Sequence, residues 1–365
     1  MRLVSIDMLK PEMKIARAVY QKGALVLPAG RKNVDRYVNS LRNMGIEYVY
    51  VEDDKSEGIE IPDAIAERTR THCKQVLQDT IQQFSITDKL ETKGLEECVN
   101  KVITEILKNP DVQVSLNDIA SNDEYTYTHS VSTMVYALMI ARKLNYSEQK
   151  LYILGIGTLL HDVGKMLIDR NVMFKEGQLT NQEFEYVKMH SLYGYQTLQR
   201  IHALPEQARL IAYMHHERLD GSGYPQGLRG DELNEYIRIV SIADVYDALT
   251  TDRCYRKKWP ANKAMDFLME RSEKEFDPVL VGLFTQQLAV YPNGSLVRLS
   301  NRYMGIVSKQ NKGMPLRPYV RVIQNANGED IVPYELNLMK ELSVTIIESE
   351  LEINRNCPSV SPDEL

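Results

Sequence analysis

Histidine and aspartate side chains recur beside apolar segments in the middle of this 365-residue chain. His161 and Asp162 are adjacent, and they follow the apolar run 151–160, which is typical of a buried helix. Two polar side chains at the end of a buried helix need partners, because unpaired polar groups are costly to bury. A metal ion is one such partner, and a hydrogen-bond network in the core is the other. For the pair alone, the core network is the simpler interpretation.

Further candidate ligands on neighbouring helices favour the metal. Asp244, for example, lies within the apolar segment 237–245, where a lone ionised carboxylate would be costly. Because several successive helices carry such residues, the sequence predicts a metal site. The set contains no sulfur, which suits iron, manganese, nickel or zinc and excludes a thiolate structural site. The other candidates, which share imidazole chemistry and apolar neighbours, are His129, His190, His215 and His216.

The number of candidate ligands predicts two ions, because it exceeds what one catalytic ion with open coordination positions needs. Asp162 is the natural bridge, since its neighbour His161 can hold one ion while Asp162 reaches the other. Two ions about 3.5 to 4 Å apart commonly hydrolyse phosphate esters, with a bridging hydroxide as the nucleophile. We therefore expect Asp162 to be catalytic. Lys165 is either an ordinary solvated lysine or, facing the site, a cation that holds phosphate and assists the leaving group.

Two downstream segments suit an anionic nucleotide substrate. Residues 220–225 form either a plain surface turn or a loop in which Gly223 admits a ligand and Tyr224 stacks on a base. Arg253 and Arg256 follow the last ligand-bearing helix, and they are either a solvated helix end or phosphate-binding cations. Their closeness to candidate ligands in the chain favours the functional interpretation of both segments.

The helices that must position these residues occupy the segment from about 119 to 289. Apolar residues recur there at helical spacing with short loops between, and almost nothing indicates a strand. We therefore expect an all-α helical bundle of about seven helices. The predicted helices are 124–144, 147–160, 181–201, 205–217, 231–250, 260–275 and 278–290.

The flanking segments predict smaller modules, so the overall fold class is mainly α. The predicted division is a small α+β module at 1–57, a helical connector at 58–118, the catalytic domain at 119–289, a small antiparallel β appendage at 290–347 and a flexible tail at 348–365.

Short segments within the flanking modules have recognisable patterns. In the first module, β-prone runs flank a hairpin signal at Lys22-Gly23, and a helix over 34–44 precedes a strand over 46–51. The predicted strands of the appendage are 296–299, 304–307, 319–323 and 330–334.

The composition of the chain limits which partners and which cellular compartment we expect for the protein. The net charge of −6 gives no general attraction to nucleic acid or to anionic membranes. The longest apolar run is too short to cross a bilayer, and the first residues do not resemble a signal peptide. Four scattered cysteines indicate a reducing compartment. We therefore expect a cytoplasmic protein with no nucleic-acid or membrane partner.

Taken together, these motifs resemble the HD-GYP group of the HD phosphohydrolase superfamily. The resemblance covers about residues 119–289 and implies a bacterial phosphodiesterase that linearises cyclic di-GMP to pGpG and can proceed to GMP. The motifs that carry it are DEYTYTHS at 123–130, HDVGK at 161–165, HHE at 215–217, DGSGYP at 220–225 and DVYDALT at 244–250.

The resemblance also implies roles for single residues. Phosphate contacts would come from Lys165, Arg253 and Arg256, with Tyr224 in the loop that names the family. The implied metal ligands are His161, Asp162, His190, His215, His216 and Asp244.

The metal count follows from a departure from the family pattern. Members with a third metal carry a glutamate four residues before the histidine at 129, where this chain has Tyr125. We therefore expect two divalent ions, iron or manganese first and nickel or zinc as alternatives. His129 is then expected to support the ligands, contact substrate or hold a weak third ion.

Two other functions stay open. A signalling adaptor could bind cyclic di-GMP, or a partner such as a diguanylate cyclase domain, with little turnover. A phosphodiesterase with the same chemistry could act on another cyclic dinucleotide. A homodimer through the N-terminal half is a further expectation.

Overall fold

The structure is a computed structural model that describes residues 1–21, 24–109, 125–175, 177–251 and 258–349. These residues divide into two compact units. The β-rich unit contains residues 1–62 and the described residues from 288 onward, and the helical unit contains residues 63–287. The five-part division given above stays a prediction.

The first part of the β-rich unit has two small antiparallel sheets. Its elements are β1 Arg2–Ser5, β2 Lys14–Ile15, β3 Val19–Gln21, β4 Ala24–Leu27, α1 Val38–Asn43 and β5 Tyr48–Glu52. The strand order is β1-β5-β2 in one sheet and β3-β4 in the other. The predicted hairpin is therefore confirmed, although Lys22 and Gly23 lie outside the described residues. The predicted helix over 34–44 is a 3-10 helix, Val34–Tyr37, followed by α1.

The second part of the β-rich unit is a five-stranded antiparallel sheet. Its strands are β6 Leu296–Leu299, β7 Met304–Lys309, β8 Tyr319–Gln324, β9 Asp330–Asn337 and β10 Ile346–Ser349, in the order β10-β6-β7-β8-β9. Four of these strands match the predicted ones, and β10 extends the sheet beyond them. The N–H of Leu3 donates to the carbonyl of Gly294 at 3.0 Å, so the first strand also contacts this second part.

The helical unit contains the predicted bundle. Side chains cap several helices by accepting hydrogen bonds from backbone N–H groups, among them Ser147, Thr180, Asn234 and Asp277. The start predicted at residue 231 is wrong for this reason, since Asn234 caps a helix that begins at Glu235. Its helices are α2 Glu67–Thr87, α3 Lys93–Lys108, α4 Tyr125–Lys143, α5 Glu148–Leu159, α6 Arg170–Met173, α7 Asn181–Gln199, α8 Glu206–Met214, α9 Glu235–Thr250, α10 Ala261–Glu270 and α11 Pro278–Thr285.

Helices α4 and α9 form the centre of the bundle, because they are buried on nearly every side. Tyr136 on α4 packs edge-to-face on Tyr246 of α9 with ring centres 5.1 Å apart, and both rings contact Phe284 of α11. These contacts hold α9 beside α4, which places the carboxylates of α9 next to His129. Among the described residues, no helix combines the length and apolar character that a membrane span requires.

Candidate metal centre

The candidate metal ligands predicted from the sequence come together in the helical unit. Most of these side chains are buried, whereas His216 keeps 20% of its side chain exposed and so lies at the mouth of the cluster. The cluster consists of His129 on α4, His161 and Asp162 in the turn after α5, His190 on α7, His215 and His216 after α8, and Asp244 on α9. Lys165, in the 3-10 helix Val163–Leu167, lies beside them.

A close approach of two backbones positions the His161-Asp162 turn. A Cβ atom at Gly164 would lie 1.9 Å from the carbonyl oxygen of His190 and 2.5 Å from the backbone nitrogen of Gly194. Only glycine therefore allows the 3-10 helix to lie directly on α7. This contact brings Asp162 and His190 within 3.5 Å of each other.

The imidazole rings are oriented by backbone carbonyls. The Nδ1 atoms of His161, His190 and His215 lie 2.7, 2.8 and 3.1 Å from carbonyl oxygens in the preceding turn of each chain segment. A carbonyl only accepts, so each Nδ1 carries the proton and each Nε2 presents a lone pair. This is the arrangement in which a histidine binds a metal through Nε2.

Asp162 lies between two groups of imidazoles. Its Oδ1 is 3.5 Å from Nε2 of His190 and 3.7 Å from Nε2 of His215. Its Oδ2 is 3.6 Å from Nε2 of His129 and 3.4 Å from Nε2 of His161. The two oxygens of one carboxylate therefore face two different sets of potential ligands.

Asp244 lies between rings in a similar way. Its Oδ1 is 3.0 Å from Nε2 of His129 and 3.8 Å from Nε2 of His161, and its Oδ2 is 3.9 Å from Nδ1 of His216. Two buried carboxylates thus each contact imidazoles from more than one structural element.

Asp247 is a residue of this site that the sequence analysis did not single out. Its Oδ2 lies 2.7 Å from Nδ1 of His129, and its side chain is buried. It holds the His129 ring with Nε2 directed at Asp244, as carboxylates behind metal-binding histidines commonly do. The sequence could have indicated this role, because Asp247 follows Asp244 by three residues on one helix and so lies on the same face.

Two atoms of the cluster are buried without a hydrogen-bond partner among the described residues. They are Nε2 of His161 and Oδ1 of Asp162. Buried polar atoms are normally paired. In addition, the Nε2 lone pairs of His190 and His215 face each other at 3.3 Å, an arrangement that a cation between them would stabilise. The residues present therefore fit divalent metal ions.

The protonation states also suit cations. Burial would raise the pKa of Asp162, but the neighbouring His161 and Lys165 side chains hold it well below its usual range. Burial lowers the pKa of His190 to about 4 and lowers those of His215 and His216 well below the usual value. At neutral pH the carboxylate is ionised and these three rings are neutral, as metal binding requires.

His129 differs from the other rings in its protonation. Burial alone would lower its pKa, but hydrogen bonds to Asp244 and Asp247 raise it to about 9. In the metal-free protein this ring is therefore a cation that offsets one of the two negative charges of Asp244 and Asp247.

The loop after His216 is held against the cluster. The Glu217 carboxylate accepts hydrogen bonds from the N–H groups of Gln226, Gly227 and Leu228 at 2.7 to 3.2 Å. A Cβ at Gly223 would lie 2.4 Å from the His216 carbonyl oxygen, so this position needs glycine. The sequence analysis missed the anchoring role of Glu217, although it noted the residue in the motif.

Tyr224 is the loop residue that reaches the cluster. Its ring stacks on that of His216, with centres 4.6 Å apart and an angle of 25° between planes. Burial raises the pKa of its hydroxyl, so the phenol is neutral. Arg253 and Arg256, the two predicted phosphate-binding arginines, lie outside the described residues.

Lys165 lies on the side of the cluster nearest Asp162. Its Nζ donates to Oδ2 of Asp162 at 2.6 Å, and 20% of its side chain is exposed. Lys165 therefore lies beside His161 and Asp162, as predicted. A contact between Lys165 and substrate stays a prediction.

Comparison with known proteins shows what this chain is similar to. Residues 113–280 match the HD domain family, and residues 296–355 match the KOW domain associated with the HD domain. In structure, the chain is similar to Bd1817, an HDGYP protein from Bdellovibrio bacteriovorus, with a TM-score of 0.50 and 19% identity over 77% of this chain and 97% of that one. That structure supports the fold.

Similar curated proteins are phosphodiesterases. The chain is 33% identical to the cyclic di-GMP phosphodiesterase PA4108 of Pseudomonas aeruginosa over 68% of this chain and 59% of that protein. It is 35% identical to the 3′3′-cGAMP-specific phosphodiesterase 3 of Vibrio cholerae over 48% of this chain and 38% of that protein. It is 33% identical to the cyclic di-GMP phosphodiesterase response regulator RpfG of Xanthomonas campestris over 57% of this chain and 56% of that protein.

The chain thus spans between 38% and 59% of the length of these relatives. The matched region contains the buried histidine and aspartate cluster, the HDVGK turn and the GYP loop. With the HD domain match and the similarity to these phosphodiesterases, the chain belongs to the HD-GYP family.

Proposed function

We propose that the protein is a metal-dependent phosphodiesterase that hydrolyses cyclic di-GMP to pGpG, with either pGpG or GMP as the final product. One observation carries this proposal: the two oxygens of Asp162 face two separate sets of histidine Nε2 atoms at 3.4 to 3.7 Å. A carboxylate in that position is suited to join two ions. The HD domain match and the similar phosphodiesterases support the same activity.

The proposed site divides its ligands around Asp162. His190, His215 and His216 would hold one ion, with ligand atoms that lie within 4.8 Å of one another. His161 and Asp244 would hold the second, with His129 as a further ligand or as a support kept in place by Asp247. Iron or manganese is preferred, and nickel or zinc is also compatible with imidazole and carboxylate ligands.

When bound, two divalent ions supply Lewis acidity toward the phosphoryl oxygens and activate water for attack on phosphorus. The chain's own residues would orient the substrate phosphate and limit the access of water to it. Lys165, which lies beside Asp162, would hold a non-bridging phosphate oxygen, and Tyr224 would line the mouth of the site beside His216. Arg253 and Arg256 would add phosphate contacts.

Another cyclic dinucleotide is the alternative substrate. The similar 3′3′-cGAMP-specific phosphodiesterase favours it. The candidate phosphate-binding cations and metal ligands recognise phosphates that all cyclic dinucleotides share, so the bases must decide between them. We further propose a cytoplasmic location and a homodimer.

Product analysis tests the proposed function. Protein purified without oxygen and supplied with Fe(II) or Mn(II) is mixed with cyclic di-GMP, and the products are separated by chromatography. We expect pGpG from the wild-type protein, and a loss of kcat/KM of at least about a hundredfold in Asp162→Asn, because two ions then lose their shared ligand. Asp266→Asn, an exposed aspartate on α10, is the matched control. Binding of cyclic di-GMP without product would favour an adaptor and reject the enzyme.

A further inference from the structure

An aromatic ring, a carboxylate and a cation lie together on α7 beside the mouth of the cluster. The Nζ of Lys188 lies 4.8 Å from the centre of the Phe184 ring and 5.3 Å from that of Tyr224. The same Nζ donates to Oε1 of Glu185 at 2.6 Å. Since the Tyr224 ring stacks on His216, contacts run without a break from the candidate metal ligands to this group, which we call the rim.

The rim is accessible to a ligand. Phe184 is 42% exposed, and the side chains of Glu185 and Lys188 are 68% and 26% exposed. An exposed ion pair of this kind contributes little to stability. The exposed Phe184 ring offers an aromatic surface on which an unpaired base can stack.

The chemistry of the rim matches guanine. The Watson–Crick edge of guanine carries two N–H donors, which suit one carboxylate, while its O6 and N7 accept from an ammonium group. Bases that are not paired in a duplex are typically stacked on aromatic rings and recognised along these edges. Adenine places an amino donor where guanine has O6, so it would direct a donor at Lys188 and lose the two donors that Glu185 accepts.

We propose that Glu185 and Lys188 recognise a guanine base of the cyclic dinucleotide, with the exposed Phe184 ring as its stacking surface. This inference rests on the proposed function, and it names the base preference that the phosphate-binding groups leave open. Glu185 accepts from N1–H and from the exocyclic amine, and Lys188 donates to O6 or N7. Lys188 is held between the two rings, so its ammonium is already directed across the rim.

Cyclic di-GMP and cyclic di-IMP test this directly, because they differ only in the exocyclic amines. For the wild-type protein we expect kcat/KM to be roughly tenfold lower with cyclic di-IMP. Glu185→Gln should bring the ratio of the two values close to one. Lys188→Met should lower both values by about tenfold and leave the ratio unchanged, since both substrates carry O6 and N7.

The control is a second ion pair of the same helical spacing. Glu206 and Arg209 lie 3.1 Å apart at the start of α8, at the opposite end of that helix from His215. Glu206→Gln should keep both the rates and the ratio of the wild-type protein.

Three outcomes decide the matter. A wild-type preference that Glu185→Gln abolishes supports the inference. Equal rates for the two substrates, or a preference that survives Glu185→Gln, overturns it while the proposed phosphodiesterase stands. If the wild-type protein with Fe(II) or Mn(II) hydrolyses neither cyclic dinucleotide, the proposed function itself fails, and hydrolysis of bis(p-nitrophenyl) phosphate then shows whether any phosphodiesterase chemistry remains.

Discussion

Two buried aspartates on different elements organise the candidate site at the scale of single residues. Asp162 and Asp244 each contact imidazoles from at least two structural elements, within 3.9 Å. Their pKa values are held well below the usual range, although burial alone would raise them. The neighbouring imidazole and ammonium groups outweigh the burial, so both carboxylates are ionised and ready to bind cations before any ion arrives.

The candidate ligands were predictable from the sequence, because polar residues beside apolar runs are conspicuous. The supporting residues were not. Asp247 acts on His129, which lies 118 positions earlier in the chain, and only the packing of α9 on α4 reveals that contact. The role of Glu217 likewise depends on how the following loop folds back.

Asp247 provides the prediction at this scale. Asp247→Asn keeps the shape of the side chain but removes the charge that orients His129, so we expect metal affinity to fall by about ten- to a hundredfold. Metal content after dialysis against a graded chelator measures this. Asp266→Asn serves as the exposed control, and equal metal retention in both variants would show that Asp247 does not support the site.

At the scale of elements, the turn after α5 and the helix α7 define the cluster by their contact at Gly164. The periodicity of the sequence predicted most of the helices well, since apolar positions alone reveal a helix that packs on one face. Ends were less predictable, because caps such as Asn234 move them by several residues. Strands β1 and β10 were missed because each has only four residues and no turn signal separates it from its surroundings.

Gly164→Ala should disrupt the contact with α7. Its Cβ would lie 1.9 Å from the His190 carbonyl oxygen, so the turn must move, and we expect a loss of about 1 to 3 kcal/mol in the free energy of unfolding. Urea unfolding followed by circular dichroism measures it. Gly282→Ala in α11 is the matched control, where a Cβ meets nothing within 4 Å and stability should rise by about 0.5 to 1 kcal/mol. Similar effects of both substitutions would contradict the assigned close approach.

Asp53 in the β-rich unit gives a pH-dependent prediction. Burial would raise its pKa, but hydrogen bonds from Arg2 and Ser56 hold it below the usual value of 3.8. A group whose pKa is lowered by folding stabilises the protein above its unfolded pKa and loses that contribution as the pH falls through its folded pKa. Asp53→Asn should therefore lower stability by about 1 to 2 kcal/mol at pH 7, and this difference should shrink below about pH 4.

Unfolding curves measured between pH 7 and pH 3 test this, with Asp54→Asn as an exposed neighbouring control. That variant should differ from the wild-type protein by less than about 0.5 kcal/mol. A difference between Asp53→Asn and the wild-type protein that persists unchanged at pH 3 would exclude the ion pair with Arg2 as its cause.

At the scale of the whole molecule, the first and the last segments of the chain belong to the same compact unit. Residues 1–62 and the described residues from 288 onward form one unit, and the cluster lies entirely in the other. Local patterns could not predict this grouping, because the contacts that define it join residues about 290 positions apart, as between Leu3 and Gly294. The proposed base preference could not be predicted from the sequence either. The rim forms only because the loop that carries Tyr224 packs against α7.

Metal ions should stabilise the helical unit, because they bind the folded cluster and not the unfolded chain. At a free concentration a hundredfold above Kd, one ion adds about 2.7 kcal/mol, which corresponds to roughly 5 to 10 °C in Tm for a unit of this size. Thermal melts at 222 nm with EDTA and with Mn(II) test this. Asp162→Asn should lose most of the shift, and a shift of equal size in that variant would place the bound ions elsewhere.

The most direct test is to measure bound metal and turnover of cyclic di-GMP in the same samples while Fe(II) or Mn(II) is added stepwise to metal-free protein under anaerobic conditions. We predict that turnover rises until two ions are bound per chain and then reaches a plateau, and that Asp162→Asn binds fewer ions and stays inactive at every ratio. Full turnover in the metal-free protein, or unchanged turnover in Asp162→Asn, would contradict the two-ion site assigned to this cluster.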